Sequence, residues 1–498
     1  LNRDIAATLS LAVLSQIAGF AKSVLIANYF GIGADVDGYY LAQVIPVTLV
    51  GIVTGFLQTG FLTVYTGHLA RGESEAAASV LGRTLWFVAT CGVAMSLLIA
   101  IAAPWLLQLL APGAEPAARS AAVFSLRALA FLLVLNVLAD CLGLALNAHR
   151  SFVLAAMAPT LNALVAALLL AAAPEWGLAN LVAGTLLGVT FQTLLLGYGL
   201  RLKGIRATLS GGSDMKEVLR AGSSIVPGLI FANVSAAVPT VFAASLGEGA
   251  VAAFSVALRL HGAATQVFTI ALSTVLLPHF ALAVGRSDSA FIRNWLANAF
   301  LPTTSIALAA VLWVGLEGEG FVSMVFQRGA FDAAATSAVA AAWFFLTLGL
   351  LPSVWGVSMA KVLQAFRLGG VMSGIAFGAL LMTIGLSLWL SSHMGIVGLA
   401  LTPGLAALCA TVACVIVSNR VLASDSARDA AGAGRRLAML AATTLFLTAM
   451  AFGVSMLTRS LSVFSQVAIL AIALFTSVAA TAVANHQQSG RLKRVANR

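Results

Sequence analysis

Charge is what this chain has least of. Asp, Glu, Lys and Arg together make up 9% of its 498 residues, against about 25% in an ordinary soluble domain. So few charges cannot clothe a water-facing surface, which excludes a soluble multidomain enzyme, a disordered chain and a coiled coil. Cysteine is scarce as well. Cys91, Cys141, Cys409 and Cys414 lie inside apolar runs without metal-ligand spacing, so a disulfide scaffold is excluded and they read as small core residues. Aromatic residues make up 8% of the chain, while Ala, Leu, Val and Gly dominate. That composition suits closely packed helices rather than the alternating strands of a β-barrel. There is no Walker A loop, the histidines show no metal spacing, and no Ser/His/Asp constellation is legible. No catalytic group, metal or cofactor is therefore expected, and the chain does not read as an enzyme.

What the sequence does have is apolar blocks of about 20 residues, the length a helix needs to cross a bilayer. Mean hydropathy is +1.01. Charged or Gly/Pro-rich breaks divide the chain into fourteen such blocks: 5–30, 38–67, 80–110, 119–148, 152–173, 177–200, 221–245, 250–284, 293–316, 334–363, 369–391, 396–418, 437–457 and 462–485. The first is not followed by a cleavage-site pattern and is read as a span rather than a signal peptide. With a cytoplasmic N-terminus and alternating sides, twenty of the 27 Lys and Arg residues fall inside, and only Arg119, Arg328 and Arg459 fall outside. This bias places both termini in the cytoplasm of a multi-pass protein of the bacterial inner membrane. The basic stretch from Arg201 to Arg220 and the tail from Arg491 to Arg498 read as topological charge at an anionic leaflet rather than as nucleic-acid sites.

Three patterns recur at nearly one spacing. Gly31-Ile32-Gly33 answers Gly247-Glu248-Gly249, and Gly113 answers Gly329. Leu146-Asn147-Ala148-His149-Arg150 answers Leu363-Gln364-Ala365-Phe366-Arg367. Spans one to six and seven to twelve are thus two copies of one unit, in the same orientation because each copy has an even number of spans. The fold expected is all-α and polytopic, with two parallel six-helix repeats and two C-terminal helices. Residues 1–200 form the first lobe, 201–220 a cytoplasmic linker and 221–418 the second lobe. A cytoplasmic loop at 419–436, two further helices at 437–485 and a basic tail at 486–498 follow. Parallel repeats about an axis along the membrane normal are a transporter architecture.

A charge near the bilayer centre costs roughly 2.5–3.5 kcal/mol on insertion scales, so each one needs a reason. Arg259 lies about ten residues into span eight and Lys22 lies in span one. Two cations facing a cavity would suit an anionic group such as a phosphate or diphosphate. Asp140 in span four is a candidate for coupling or gating, or for pairing with a basic neighbour. Arg127 nearer the outer end of that span and Lys361 near the inner end of span ten are secondary candidates, Lys361 being placed to snorkel or cap. Asp35-Val36-Asp37 in the first outer loop admits two readings, metal-binding carboxylates of a polyprenyl-dependent glycosyltransferase or a capping and loop-ordering role for Asp37. The short outer loops favour the second.

These residues resemble those of the MviN/MurJ family, lipid II flippases of the MOP exporter superfamily, over nearly the whole chain. The likeness is carried by Ser15-x-x-x-Gly19-Phe20-Ala21-Lys22, Phe30-Gly31-x-Gly33-x-x-x-Asp37, Ala103-Pro104-Trp105 and Ala111-Pro112-Gly113. It continues through Leu146-Asn147, Ala158-Pro159-Thr160-Leu161-Asn162, Leu276-Leu277-Pro278, Phe326-Gln327-x-Gly329-x-Phe331 and Lys361-Val362-Leu363. The resemblance implies two six-helix lobes around a cationic cavity and two extra helices forming a groove for a lipid tail. It implies substrate contacts at Arg259, Lys22 and Gln16, with Asp37 and Asp140 as coupling or gating candidates. It also shows departures. Family arginines fall here on Gln16, Val50 and Gly51, a family glutamate falls on Gly55, and the acid before Arg259 is Leu258.

The function expected is therefore the flipping of an undecaprenyl-diphosphate-linked saccharide by alternating access. That saccharide is either lipid II or a related exopolysaccharide or O-unit precursor. Membrane potential or an ion or proton gradient is the expected drive. Membrane lipids and other cell-envelope glycan-assembly proteins are the expected partners. A non-transporting scaffold of a glycan-assembly complex and a small-molecule antiporter of the MOP type are the alternatives.

Overall fold

A computed structural model describes residues 2–209, 215–223, 225–286 and 288–423. The spans expected at 437–457 and 462–485, the tail at 486–498 and most of the loop at 419–436 lie outside these residues. The described chain is helical, without a strand. In a bilayer this follows from backbone chemistry, because only a helix or a closed barrel satisfies every N–H and C=O without water.

Each of the first twelve expected spans has a helical counterpart. In chain order these are α1 (Asn2–Phe30), α2 (Ala34–Thr59) with α3 (Phe61–Ala70), α4 (Ser74–Leu110), α5 (Pro116–Leu129) with α6 (Leu132–Ala148), α7 (Phe152–Ala172) and α8 (Gly177–Leu202). The second copy follows as α9 (Met215–Ser223) with α10 (Val226–Ala243), α11 (Ala250–Gly285), α12 (Ser289–Phe326), α13 (Ala333–Leu348) with α14 (Leu350–Ala365), and α15 (Gly369–Ala423). Among the described residues eight helical stretches are long and apolar enough to cross a membrane, and the α5–α6 pair, bent by 42°, makes a ninth. The 55 residues of α15 would reach about 80 Å as one helix, far beyond a ~30 Å hydrocarbon core. The helix breaks at Gly395, with φ 57° and ψ −135°, and so supplies two spans.

The duplication is visible in the backbone itself. Arg150 and Arg367, 217 residues apart, are the non-glycine residues with positive φ among the described residues, at 58° and 56°. Gly177 and Gly395, 218 apart, share φ near 55° and ψ −135° at the turns before the sixth and twelfth spans. The fourth and tenth spans are both broken near their middles, at Ala130–Phe131 and at Gly349. None of these breaks is announced by proline at the break itself, and hydropathy runs through them.

Two compact units describe the contacts, and they cut across the repeat. Unit 1 holds Leu1–Val256, Met324–Ala338 and Thr383–Leu399. Within it α7 packs on α8 and α1, and α2 packs on α5 and α10. Small residues make these approaches close. At Gly188 of α8 an added Cβ would stand 2.5 Å from the Asn162 carbonyl oxygen of α7, while Asn162 donates to Gln192 at 2.9 Å. Unit 2 holds Ala257–Ser323, Val339–Met382 and the chain from Ala400. In it Trp313, Phe321 and Trp343 form a mutual aromatic cluster with centroids 5.4–5.9 Å apart.

Two glycine substitutions separate backbone strain from packing. Gly395→Ala places a side chain in open space but in a conformation that costs about 1–3 kcal/mol for a non-glycine residue. Gly188→Ala keeps an ordinary helical backbone and costs about 1–3 kcal/mol through overpacking against α7. Thermal unfolding in detergent should show both destabilised. A second substitution Asn162→Ala should relieve Gly188→Ala less than expected from side-chain relief alone, because the backbone oxygen remains.

Candidate functional site

The end of unit 1 that carries few basic residues is tied together by one carboxylate. Asp37 lies in the first turn of α2, and its side chain is 3% exposed. Its Oδ2 accepts from the Gly249 N–H at 2.7 Å and its Oδ1 from the Ala252 N–H at 2.6 Å. Asp37 therefore caps α11, a helix more than 200 residues away, and meets the positive end of that helix dipole. Glu248, just before α11, returns the favour to α2: its Oε1 accepts from the Ala34 N–H at 3.2 Å. Backbone approaches close the same seam. Gly31, at φ 61°, faces the Ala330 carbonyl, and Gly329, at φ 57°, faces the Asn28 carbonyl. The Ala330 N–H donates to Asn28 O at 3.0 Å, and the Phe326 ring lies 5.3 Å from Phe20 and 5.9 Å from Phe331. Asp35 is exposed. Among the described residues no three His, Cys, Asp or Glu side chains gather as a metal site.

Lys22 is buried within unit 1, on α1. Its Nζ donates to Thr185 Oγ1 of α8 at 3.0 Å, and Tyr39 OH lies 2.7 Å from the same oxygen. Thr185 spends its own proton on the Leu181 carbonyl at 2.9 Å, so Tyr39 is the donor to it. The ammonium thus meets a hydroxyl that also serves Tyr39. Gln16, one and a half turns earlier on α1, is exposed.

Asp140 on α6 accepts a hydrogen bond from Thr54 of α2 and forms no ion pair among the described residues. The basic neighbour weighed for it from the sequence is absent from its contacts. Arg127, in the last turn of α5, is exposed. Lys361 on α14 is half-buried and donates to Gln364 Oε1 at 3.1 Å, so its nitrogen is engaged by a side chain one turn on rather than by the helix end. Outside the spans, at the basic end, Glu73 accepts from Arg71 Nε at 3.0 Å and lies 2.6 Å from His68 Nδ1. Arg71 first and His68 second hold its carboxyl below the usual glutamate range.

Arg259 stands apart in unit 2. It lies on α11, nine residues after Ala250, about 14 Å along the helix axis. Its side chain is exposed and makes no hydrogen bond or ion pair with any described residue.

The positions where the resemblance expects charge on α2 have a different use here. An added Cβ at Gly51 would run into the Asn233 amide of α10, and one at Gly55 would stand 2.6 Å from a Leu229 methyl. Asn233 donates to Leu229 O at 2.9 Å and is itself part of the packed face. The missing side chains are therefore replaced by a neighbouring helix. Sequence reasoning found the glycines but had no signal for what fills their space. Nor did it find Thr185, Thr54 or Glu248, each of which acts through a partner far away in the chain.

A family model described as lipid II flippase MurJ matches residues 26–474. A probable lipid II flippase MurJ from Synechocystis sp. is 27% identical over 365 residues, covering 68% of this chain and 66% of its own. A lipid II flippase MurJ from Burkholderia cenocepacia is 28% identical over 380 residues, covering 70% of each. The chain thus spans about two thirds of the length of these curated relatives. Among solved structures, lipid II flippase MurJ in an inward closed conformation superposes with a TM-score of 0.75 at 15% identity, covering 97% of this chain and 99% of that one. An inward-facing multidrug resistance MATE transporter of the MOP superfamily gives 0.73 at 16% identity, covering 85% and 99%. These last two show the fold.

If the Asp37 cap holds the seam, its removal should loosen that end alone. Asp37→Ala takes away two charge-assisted bonds, a loss of about 1–2 kcal/mol. Hydrogen exchange should rise at the first turn of α11 while α7 and α8 keep their protection. Unchanged exchange at 249–253 would show that the cap is incidental.

Proposed function

The chain belongs to the MurJ lipid II flippase family, and we propose that it moves an undecaprenyl-diphosphate-linked saccharide from the cytoplasmic to the outer leaflet by alternating access. Both termini face the cytoplasm, and the chain carries no catalytic step. The observation that carries the reading is Arg259, a cation deep in an apolar helix that no described protein group neutralises. Such a charge is tolerated where it lines a water-filled path and meets a substrate anion. A diphosphate is the matching group, since a guanidinium offers a planar fork to two of its oxygens. Lys22 is a second cation at comparable depth in its own helix, about 12 Å from the end of α1. The prenyl tail stays in lipid throughout, so only the polar headgroup needs a path.

Membrane potential or an ion or proton gradient drives the cycle, and Asp140 is the better coupling acid of the two considered. Both oxygens of Asp37 are committed to helix capping. Asp140 has a single hydroxyl partner and no cation, so taking up and releasing a proton would not dismantle a helix junction. Asp140→Asn should abolish the dependence of flipping on the gradient, whereas Thr54→Ala should only weaken it.

The headgroup is lipid II or a related saccharide. The seating of α10 against Gly51 and Gly55 favours a related one, because it fills space beside α2 where the resemblance places charged side chains. The deciding measurement is rescue of a Gram-negative strain depleted of its lipid II flippase, with Arg259→Ala alongside. Rescue by the wild type, and at least about a tenfold loss with Arg259→Ala as expected for a buried charge–phosphate contact, establishes lipid II. Membrane insertion without rescue points to an exopolysaccharide or O-unit precursor. Equal rescue by Arg259→Ala overturns the role given to the cation.

A further inference from the structure

The two mid-span breaks are accompanied by one duplicated contact. In unit 1 the Thr193 hydroxyl of α8 shares its proton between the Val189 carbonyl of its own helix at 2.9 Å and the Leu135 carbonyl of α6 at 3.1 Å. In unit 2 the Thr411 hydroxyl of α15 donates to the Pro352 carbonyl of α14 at 2.9 Å. Thr193 and Thr411 are 218 residues apart and Leu135 and Pro352 are 217 apart, the same spacing that relates Gly177 to Gly395 and Arg150 to Arg367. Each accepting carbonyl lies just beyond its break, on the half-helix nearer the basic end. Each donor sits on the span that follows two later.

At the breaks hydroxyls add to backbone bonds, for Ala130 O also accepts from the Leu133 N–H and Gly349 O from the Ser353 N–H, each at 3.1 Å. Ser96 of α4, fully buried, donates to Ala130 O at 2.9 Å, and Ser353 donates to Gly349 O at 2.7 Å. Short-range turns replace the ordinary ladder, with Phe131 N bonded to Ala128 O and Gly349 N to Leu346 O. Gly349 also lies backbone to backbone against Gly404, where an added Cβ would stand 2.7 Å from the opposing Cα. A break whose polar groups are met by side chains can change angle without exposing backbone to lipid, which a continuous helix cannot do.

We propose that Ala130–Phe131 and Gly349 are paired pivots of the transport cycle. The half-helices α6 and α14 stay clasped to α8 and α15 by Thr193 and Thr411, while α5 and α13 tilt about the breaks. α5 bears directly on the capped seam, since Gly38 of α2, one residue from Asp37, packs on Ala118, Ala121 and Ala122. Tilting α5 and releasing that seam are one movement. This inference rests on the alternating-access reading above, but its test does not depend on which headgroup is carried.

The test uses paired spin labels in the full chain, with Cys91 and Cys409 replaced by Ser and the two buried cysteines left in place. One pair spans the tilting half, Ser120→Cys on α5 and Trp176→Cys before α8. The other spans the clasped half, Asn147→Cys on α6 and Leu202→Cys on α8. All four positions are exposed. The 14 residues of α5 make an arm of about 21 Å, so a tilt near 15° moves its far end by about 5 Å. Distances are read in phosphatidylglycerol–phosphatidylethanolamine nanodiscs at pH 5 and pH 8, with and without lipid II.

The expected result is a second population or a shift of about 5 Å in the first pair under at least one condition, with the second pair fixed. Thr193→Val should release the second pair into a broad distribution, and Thr193→Ser should restore it. Flipping in the Thr193→Val, Thr411→Val double variant should fall at least about fivefold, the loss expected when a buried hydrogen bond goes. Two outcomes overturn the proposal: both pairs moving together, or the first pair holding one narrow distance under every condition. Movement with pH but not with lipid II leaves the pivots standing and removes lipid II as the substrate.

Discussion

Within the hydrocarbon core there is no water to take up a spare N–H or C=O, so every peptide group must find its partner inside the protein. The architecture depends on this constraint more than on any single contact. It forces helices, and it also sets the terms on which a helix is allowed to stop. At Ala130 the carbonyl is met by Ser96 as well as by a backbone N–H, at Gly349 by the Ser353 hydroxyl and N–H together, and at the Asn180 turn one amide adds to the backbone bonds of two carbonyls, Leu169 and Ala173. Hydroxyls and amides in these spans are therefore part of the backbone's own accounting before they are available to a substrate.

The same constraint sorts the charges. Lys22 donates to Thr185, while Asp140 is met by Thr54 and Asp37 by two peptide N–H groups, with no ion pair to either acid among the described residues. A neutral partner stabilises a charge less than an ion pair would, but it leaves the charge available to a mobile counterpart. A buried ion pair, once formed, has already satisfied both members. Arg259 takes this furthest, since no described residue meets it at all. A transporter that must bind and release an anion in each cycle needs cations held by weak partners.

The spans and the repeat were legible in the sequence because both are one-dimensional. An apolar run of bilayer length declares itself whatever it packs against, and Gly31 and Gly247 share a spacing that needs no structure to measure. The breaks inside the fourth and tenth spans were not legible, since Ala130–Phe131 and Gly349 interrupt the hydrogen-bond ladder without interrupting hydropathy. The partners of the charges were hidden for another reason. Thr185 lies 163 residues from Lys22 and Gly249 lies 212 from Asp37, and only packing decides which faces of such distant helices meet. Asp37 illustrates the difference: a capping role could be read from its place at a helix start, but the helix it caps could not.

Comparison of the two copies shows what duplication preserves. Backbone geometry is kept at Arg150 and Arg367 and at Gly177 and Gly395, and the threonine clasp is kept to within one residue. Side-chain chemistry is not. His149, bonded to Tyr65 OH at 2.9 Å, has Phe366 as its counterpart, and Lys22 has nothing equivalent in the second copy, where span seven carries Val238 at the matching register. The division is physical. A break or a clasp works only if both copies bend compatibly, so a change in one would have to be matched in the other. A lone cation is not tied to any such paired geometry, so nothing in the fold requires it twice. Divergence is therefore free to act on the charges while the breaks stay paired.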